Sequence, residues 1–140
     1  MNALQKRFVA FHVWLFRRSQ GRWGGTMDRG GKVLLLTTKG RKTGQARTVP
    51  LMYFDDGGTI FVSNSAAGTP TPPAWYLNLQ ADPDVEVELA AERVPMRAIP
   101  ASPERSLELW NQICAGWPRF RSYEPKAKGR AFTMVHLHPR

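Results

Sequence analysis

The chain has 140 residues, enough for one domain with a real core and too few for two. Apolar residues make up 42%, which excludes a disordered chain, and the single cysteine, Cys114, can form neither an internal disulfide nor a multi-cysteine metal site. The net charge of +9 sits at the front: residues 1–50 hold eleven basic side chains against Asp28 alone, whereas residues 51–140 hold nine basic and ten acidic ones, so the first third favours an anionic partner.

Lys6, Arg7 and His12 interrupt the apolar residues of positions 1–20, so neither a membrane-spanning run nor the uncharged core of a secretory signal is present there. Leu4, Phe8, Phe11 and Leu15 fall at helical spacing, with Val9 and Phe16 widening the stripe. This predicts an amphipathic helix over about 3–18, placed as a unit of its own at 1–20. Its apolar face either packs on the domain or lies on an anionic bilayer with Lys6, Arg7, Arg17 and Arg18 near the headgroups. Gly21, Gly24, Gly25, Gly30 and Gly31 make residues 20–31 a connector.

A domain over 30–140 follows. Lys32–Thr38 has the length and composition of a strand, and Lys39–Gln45 is a basic turn with two glycines. Thr48–Phe54 reads as a second strand, joined through Asp55-Asp56-Gly57-Gly58 to Thr59–Ser63 as an antiparallel hairpin. Asn64–Pro73 is a loop, and Pro72-Pro73 introduces a short helix at about 73–81. Val85–Leu89 alternates, with Glu86 and Glu88 toward solvent, and Val94–Ile99 is its partner, where Pro95 suits an edge or the start of a strand. Ser102-Pro103 opens a helix whose buried stripe is Leu107, Trp110, Ile113 and Cys114; this makes the cysteine a core residue rather than a nucleophile. Ala131–Leu137 is the last strand, with Phe132, Met134 and His136 on one face and Thr133, Val135 and Leu137 on the other. With no βαβ series, six short and mainly antiparallel strands fit a small, partly open barrel; an α+β sandwich or a sheet completed by a second chain are the alternatives.

Lys39–Arg47 is the densest polar signal: its glycines allow main-chain N–H groups to converge, Thr43 adds a hydroxyl, and four cations surround it. Such a turn suits phosphate or carboxylate groups, and nucleic acid or plain solvation are its other uses; neither a Walker loop nor GxGxxG is present. Ala74-Trp75-Tyr76-Leu77-Asn78, beside the small-residue loop Ser63–Gly68, either holds a planar ring or docks its helix on the core. His136 and His138 share a strand face, but no acidic or cysteine ligand stands at metal spacing, so no metal is expected. Tyr53, Tyr76 and Tyr123 can donate a proton or a hydrogen bond to a developing oxyanion.

Leu36–Gln45, continued by Arg47-Thr48-Val49-Pro50-Leu51, then Asp56-Gly57-Gly58, then Ala74–Leu79 with Asp82-Pro83, resembles the actinobacterial deazaflavin-dependent nitroreductase family over about residues 30–138. The resemblance implies a split β-barrel that binds coenzyme F420, the reduced 8-hydroxy-5-deazaflavin, and passes a hydride to a quinone or similar planar hydrophobic acceptor. It places Arg41, Lys42 and Thr43 on the acidic tail of the cofactor and Arg47, Thr48, Val49, Pro50, Leu51 and Met52 along the groove to its ring. Main-chain donors of Ser63, Asn64, Ser65 and Ala66 would meet the headgroup, with Ala74, Trp75, Tyr76, Leu77 and Asn78 closing over it. Phe120 and Tyr123 would flank the acceptor, with Tyr123 and Tyr76 as the catalytic candidates. Met52, Ala66 and Phe120 stand where the prodrug-activating members carry tyrosine, lysine and tyrosine, which removes two phenolic proton donors from the acceptor side. The reading implies a cytoplasmic protein, monomer or dimer, without a nucleic-acid partner, whose N-terminal helix either packs on the domain or makes peripheral contact with the cytoplasmic face of an anionic membrane. A flavin mononucleotide enzyme of the broader pyridoxamine-oxidase-like group and a basic nucleic-acid-binding module are the competing readings.

Overall fold

The computed structural model describes residues 3–20, 26–27 and 31–140; most of the predicted glycine connector lies outside them. Helix α1 (Ala3–Ser19) is followed by β1 (Thr26–Met27), β2 (Gly31–Lys39), β3 (Ala46–Met52), β4 (Phe54–Asp56) and β5 (Thr59–Ser63). Then come α2 (Ala74–Ala81), β6 (Asp84–Leu89), β7 (Glu92–Pro100), α3 (Pro103–Gly116), a 3-10 turn (Pro118–Ser122), α4 (Tyr123–Lys126) and β8 (Met134–Pro139).

All strand pairings are antiparallel, in the order β1-β2-β6-β7-β8-β5-β4 with β3 added to β2. The path is open-ended, which overturns the expected six-stranded split barrel: among the described residues the sheet has eight strands and does not close. The physical reason lies at Tyr53. The predicted strand 48–54 breaks there, with the Tyr53 amide bonded to the Lys32 carbonyl at 3.0 Å. Before the break β3 pairs with β2, Pro50 opposite Leu35; after it β4 pairs with β5, Phe54 opposite Phe61. β3 therefore pairs along one edge, where a proline without an N–H is admitted, and no ladder joins it to β5.

Two cores fill the sheet's faces. Leu34, Leu36, Val62, Val85, Val87, Val135 and Leu137 pack with Trp75 and Leu79 of α2 on one side. On the other, Phe61 and Met134 pack with Leu109, Trp110, Ile113 and Cys114 of α3 and with Phe120. The Ser102 hydroxyl caps α3 by accepting from the Arg105 amide at 3.1 Å. The buried stripe of α3 runs Ser106, Leu109, Trp110, Ile113 and Cys114, whereas Leu107, predicted to be core, is 60% exposed. Apolar spacing misses this phase because the stripe starts on a serine: Ser106 Oγ accepts from the Met134 amide at 3.0 Å, a bond that needs burial. Pro95, expected at an edge or a strand start, lies within the internal strand β7. Its carbonyl faces the β8 side, accepting from the Arg140 amide at 3.2 Å, so its missing N–H falls where β8 has already ended at Pro139.

α1 is docked by Phe16 and Arg17. Phe16 is buried and Arg17 clasps Glu88, Nε to Oε1 at 3.0 Å and Nη2 to Oε2 at 2.8 Å, so Glu88 does not face open solvent as its alternation suggests. Leu35 stands opposite Glu88 on β6 and opposite Pro50 on β3, so the helix lies over the row that ends at Pro50.

Truncation separates the predicted stripe of α3 from the observed one. Leu109→Ala costs about 2–5 kcal/mol in urea unfolding and Leu107→Ala less than about 0.5 kcal/mol; equal losses would restore the apolar-spacing phase.

Candidate functional site

The break between β3 and β4 leaves a cleft of about 180 Å³. Pro50, Leu51 and Met52 of β3, with Phe54, form one wall; Ser63, Ser65 and Ala66 form its edge; and Trp110, Ile113, Phe120 and Tyr123 form the facing wall. The cleft thus joins three stretches that are distant in sequence, and most of its lining is flat or apolar, which suits a planar ring.

The facing wall is a run of aromatic rings. Phe120 stacks on Tyr123 at 5.2 Å between centroids and on Trp110 at 6.4 Å, with interplanar angles of 20° and 11°. Glu124 ties the wall together: its Oε2 accepts from Trp110 Nε1 at 2.9 Å and from Arg121 Nη1 at 2.9 Å. These two bonds, the indole first, hold the Glu124 carboxyl below the ordinary carboxylate range. The Tyr123 hydroxyl donates to no group among the described residues, so it is available to a ligand.

The edge is a backbone turn of unusual shape. Ser65 is right-handed (φ −59°, ψ −33°), and Ala66, Ala67 and Gly68 all have positive φ, at 47°, 55° and 81°. A right-handed residue followed by left-handed ones turns successive N–H groups toward one concavity. The Ala66 and Ala67 amides have no protein acceptor among the described residues. At Gly68 the absence of a side chain is required, since a Cβ there would lie 2.5 Å from the Tyr123 carbonyl oxygen.

The remaining predicted residues lie apart from this cleft. The basic turn is exposed at Arg41, Lys42, Thr43 and Arg47, and Thr43 Oγ1 accepts from the Gln45 amide at 3.2 Å. Asn78 anchors the turn to α2: its Oδ1 accepts from the Arg41 amide at 3.2 Å and Nη1 at 3.0 Å, while its Nδ2 donates to Thr38 at 3.1 Å. Lys42 and Arg47 make no ion pair among the described residues. Thr48 shares a hydroxyl–hydroxyl bond of 2.7 Å with Thr37, and Val49 packs against the α2 core. Within α2, Trp75 is a core residue, Tyr76 packs edge-on against it at 6.1 Å, Ala74 is exposed and Leu77 is half-buried. Asn64 is buried beside the edge, its Oδ1 accepting from the Thr133 amide at 2.7 Å. Tyr76 does not line the cleft that Tyr123 lines.

Sequence reasoning missed Phe54, Trp110 and Ile113 as cleft residues because their apolar character is spent on both core and cleft. It also left His136 without an acid. Asp56, distant in sequence, has Oδ2 at 2.8 Å from His136 Nε2 and Oδ1 at 2.6 Å from Arg105 Nη2; these contacts, His136 first, lower the Asp56 pKa. Among the described residues no three histidine, cysteine or acidic side chains converge on a metal position.

A family model described as F420H(2)-dependent quinone reductase matches residues 8–139. A Mycobacterium tuberculosis (strain ATCC 25618 / H37Rv) protein named as an F420H(2)-dependent quinone reductase is 37% identical over 97 residues, 69% of this chain and 65% of its own length. This chain thus spans just under two thirds of that relative. A second protein of that organism, assigned by name to the same family, is 33% identical over 107 residues, 76% of this chain and 89% of its own. Among solved structures, one titled as an F420-H2 dependent reductase superposes with a TM-score of 0.64 at 28% identity, over 79% of this chain and 96% of that one. Another, titled as a domain-swapped dimer, gives a TM-score of 0.68 at 25% identity over 96% of both chains.

The Glu124 clasp gives the cleft a pH signature. A carboxyl whose folded pKa lies below its unfolded value of about 4.3 stabilises above that value and loses the contribution as pH falls through the folded pKa. Glu124→Gln therefore melts earlier than the parent at neutral pH, with the difference shrinking below about pH 4. A gap constant from neutral to acidic pH would contradict the clasp.

Proposed function

The chain belongs to the F420H(2)-dependent quinone reductase family, and from that premise we propose that it is an oxidoreductase that passes a hydride from reduced coenzyme F420 to a quinone or a similar flat, hydrophobic acceptor. The observation that carries this reading is a flat-walled cleft lined at its edge by Ala66, whose amide, like that of its neighbour Ala67, has no protein acceptor among the described residues. A ring with a polar rim fits both features: Pro50, Leu51 and Met52 offer an apolar face, and the two amides offer donors to ring oxygen or nitrogen. The cationic turn fits an acidic tail, with Lys42 and Arg47 exposed and Arg41 held in place by Asn78.

When bound, the reduced deazaflavin supplies the hydride. The protein's part is to stack donor and acceptor, exclude water and stabilise charge. Phe120 and Tyr123 present a stacked surface for the acceptor. The Tyr123 hydroxyl donates a hydrogen bond to the oxygen that gains charge, and the Ala66 and Ala67 amides hold the ring edge. Tyr76, packed on the α2 core, acts from the cofactor side or not at all. Oxidation of the reduced cofactor, followed by absorbance with a menaquinone analogue, tests the activity. Tyr123→Phe lowers kcat by roughly 10²-fold with little change in cofactor affinity; an unchanged kcat removes the phenol from the mechanism.

Arg41→Ala combined with Lys42→Ala weakens binding of the tailed cofactor more than of a form truncated at the phosphate, because only the former loses charge-assisted contacts to carboxylates. Equal weakening would move these residues to the phosphate, and no effect would detach them from the cofactor.

A second observation favours peripheral contact with a membrane. Leu4, Phe8, Phe11 and Trp14 are all more than half exposed on α1, beside Lys6, Arg7 and Arg18, while Arg17 clasps Glu88 in the row that ends at the cleft residue Pro50. An amphipathic helix with basic flanks binds an anionic, cytoplasmic-facing leaflet, which also places the cleft near a lipid-soluble acceptor. No helix among the described residues is long and apolar enough to cross a membrane. Leu4→Ser with Phe8→Ser and Phe11→Ser releases the protein from anionic liposomes, leaves its melting temperature near the parent's, and lowers the rate with a long-chain quinone but not with a short, soluble one. A large drop in melting temperature would show a packed face instead.

A further inference from the structure

We propose that Arg130 is a positioning residue for the cleft: its guanidinium holds the turn from Asn64 to Thr69 in the left-handed shape that leaves the Ala66 and Ala67 amides without protein acceptors. Nε donates to the Thr69 carbonyl at 2.9 Å, Nη1 to the Asn64 carbonyl at 3.1 Å and Nη2 to the Ser65 carbonyl at 3.0 Å. Three carbonyls on both sides of the left-handed residues are therefore gathered by one planar group. Arginine alone presents donors in such a rigid fork; a lysine ammonium would hold them as a point charge without fixing their relative positions.

The turn needs such a clamp. Alanine is disfavoured at positive φ, and here two alanines in succession adopt it, each giving up free energy that a relaxed loop would recover. Across the left-handed residues themselves the turn has two backbone bonds, the Gly68 amide to the Ser65 carbonyl at 2.8 Å and the Thr69 amide to the Ala66 carbonyl at 3.2 Å; its entry is held by Asn64, which pairs with Thr133, and by the Ser65 amide on Ser63 Oγ. Gly68 also abuts the Tyr123 backbone, so the turn is held both by Arg130 and by the segment that carries Tyr123. Arg130 is fixed in its turn. Its amide bonds the Ala127 carbonyl at 3.1 Å, Ala127 is buried, and its guanidinium lies 5.2 Å from the centre of the Phe132 ring. No carboxylate pairs with it among the described residues, and burial lowers its pKa. A half-buried cation whose bonds go to three carbonyls and, at 3.5 Å, to Asn64 Oδ1 has shape, rather than a salt bridge, as its product.

The consequence for the loop stands independently of what binds; the consequence for binding rests on the deazaflavin reading. Amide-resolved hydrogen exchange on the unliganded chain tests the first. In Arg130→Lys and Arg130→Ala, the Gly68 and Thr69 amides exchange roughly tenfold faster or more while the Leu36 amide in β2 keeps its rate, and ethylguanidinium restores the alanine variant. Unchanged rates at Gly68 and Thr69, or an equal acceleration at Leu36, overturn the proposal. Titration with oxidised coenzyme F420 and with its tail-less ring tests the second: Arg130→Lys raises both Kd values by the same factor, roughly tenfold. Unchanged Kd values beside faster loop exchange would overturn the role in binding. If the parent chain binds neither form, the deazaflavin reading fails, and the exchange rates alone decide the role of Arg130.

Discussion

β2 is buried on both of its faces, and most of the molecule answers that constraint. Val33, Leu34, Leu35 and Leu36 are each no more than 3% exposed, so layers must cover both sides of the strand. On one side Leu34 and Leu36 meet the α2 core; on the other Leu35 lies in the row of Glu88, which Arg17 of α1 clasps. The backbone of β2 must be satisfied as well, and β3 and β6 supply its partners. β3 pairs with β2 along one edge only, and the chain breaks at Tyr53, whose amide bonds the Lys32 carbonyl, before β4 takes up the ladder with β5.

The cleft is the space left by that break. An antiparallel hairpin from β3 to β5 would have filled it with a ladder; instead β4 takes the β5 edge, and Pro50 stands on a strand that has no second neighbour. The facing wall then comes from residues near the carboxyl end, tied by Glu124 to Trp110 and by close backbone packing to Gly68. Edge, wall and floor thus share atoms: the Tyr123 backbone limits the turn whose amides face no protein acceptor, and its ring extends the stacked surface.

What could be read from sequence was what local chemistry decides. The proline pair before α2, the Ser102 cap, the glycine hairpin at Gly57-Gly58 and the alternation of β6 all stand near their expected positions, because each depends on a few adjacent residues. The basic turn was also legible as an exposed cationic feature, although its tether through Asn78 was not. Sheet closure was illegible because it depends on which strand β3 pairs with, a choice between long-range partners that Thr48–Phe54 alone does not express. Leu107 was misplaced because Ser106 begins the buried stripe. Arg130 gave no signal at all: it stands in an unremarkable Lys-Gly-Arg stretch, and its shorter bonds go to three main-chain carbonyls, which every residue has, with a longer one to Asn64 Oδ1 at 3.5 Å.

The central claim is that the cleft opened at Tyr53 receives the cofactor's ring, with β3 beneath it and the strained turn at its rim. Intermolecular nuclear Overhauser contacts between the ring protons of oxidised coenzyme F420 and methyl-labelled protein address this directly. Contacts to the Met52 and Ala66 methyls, with none to the alanine and leucine methyls of the α2 core, are the result expected. A ring whose contacts fall on Ala74, Leu77 or Leu79 of α2, and not on Met52, would contradict it.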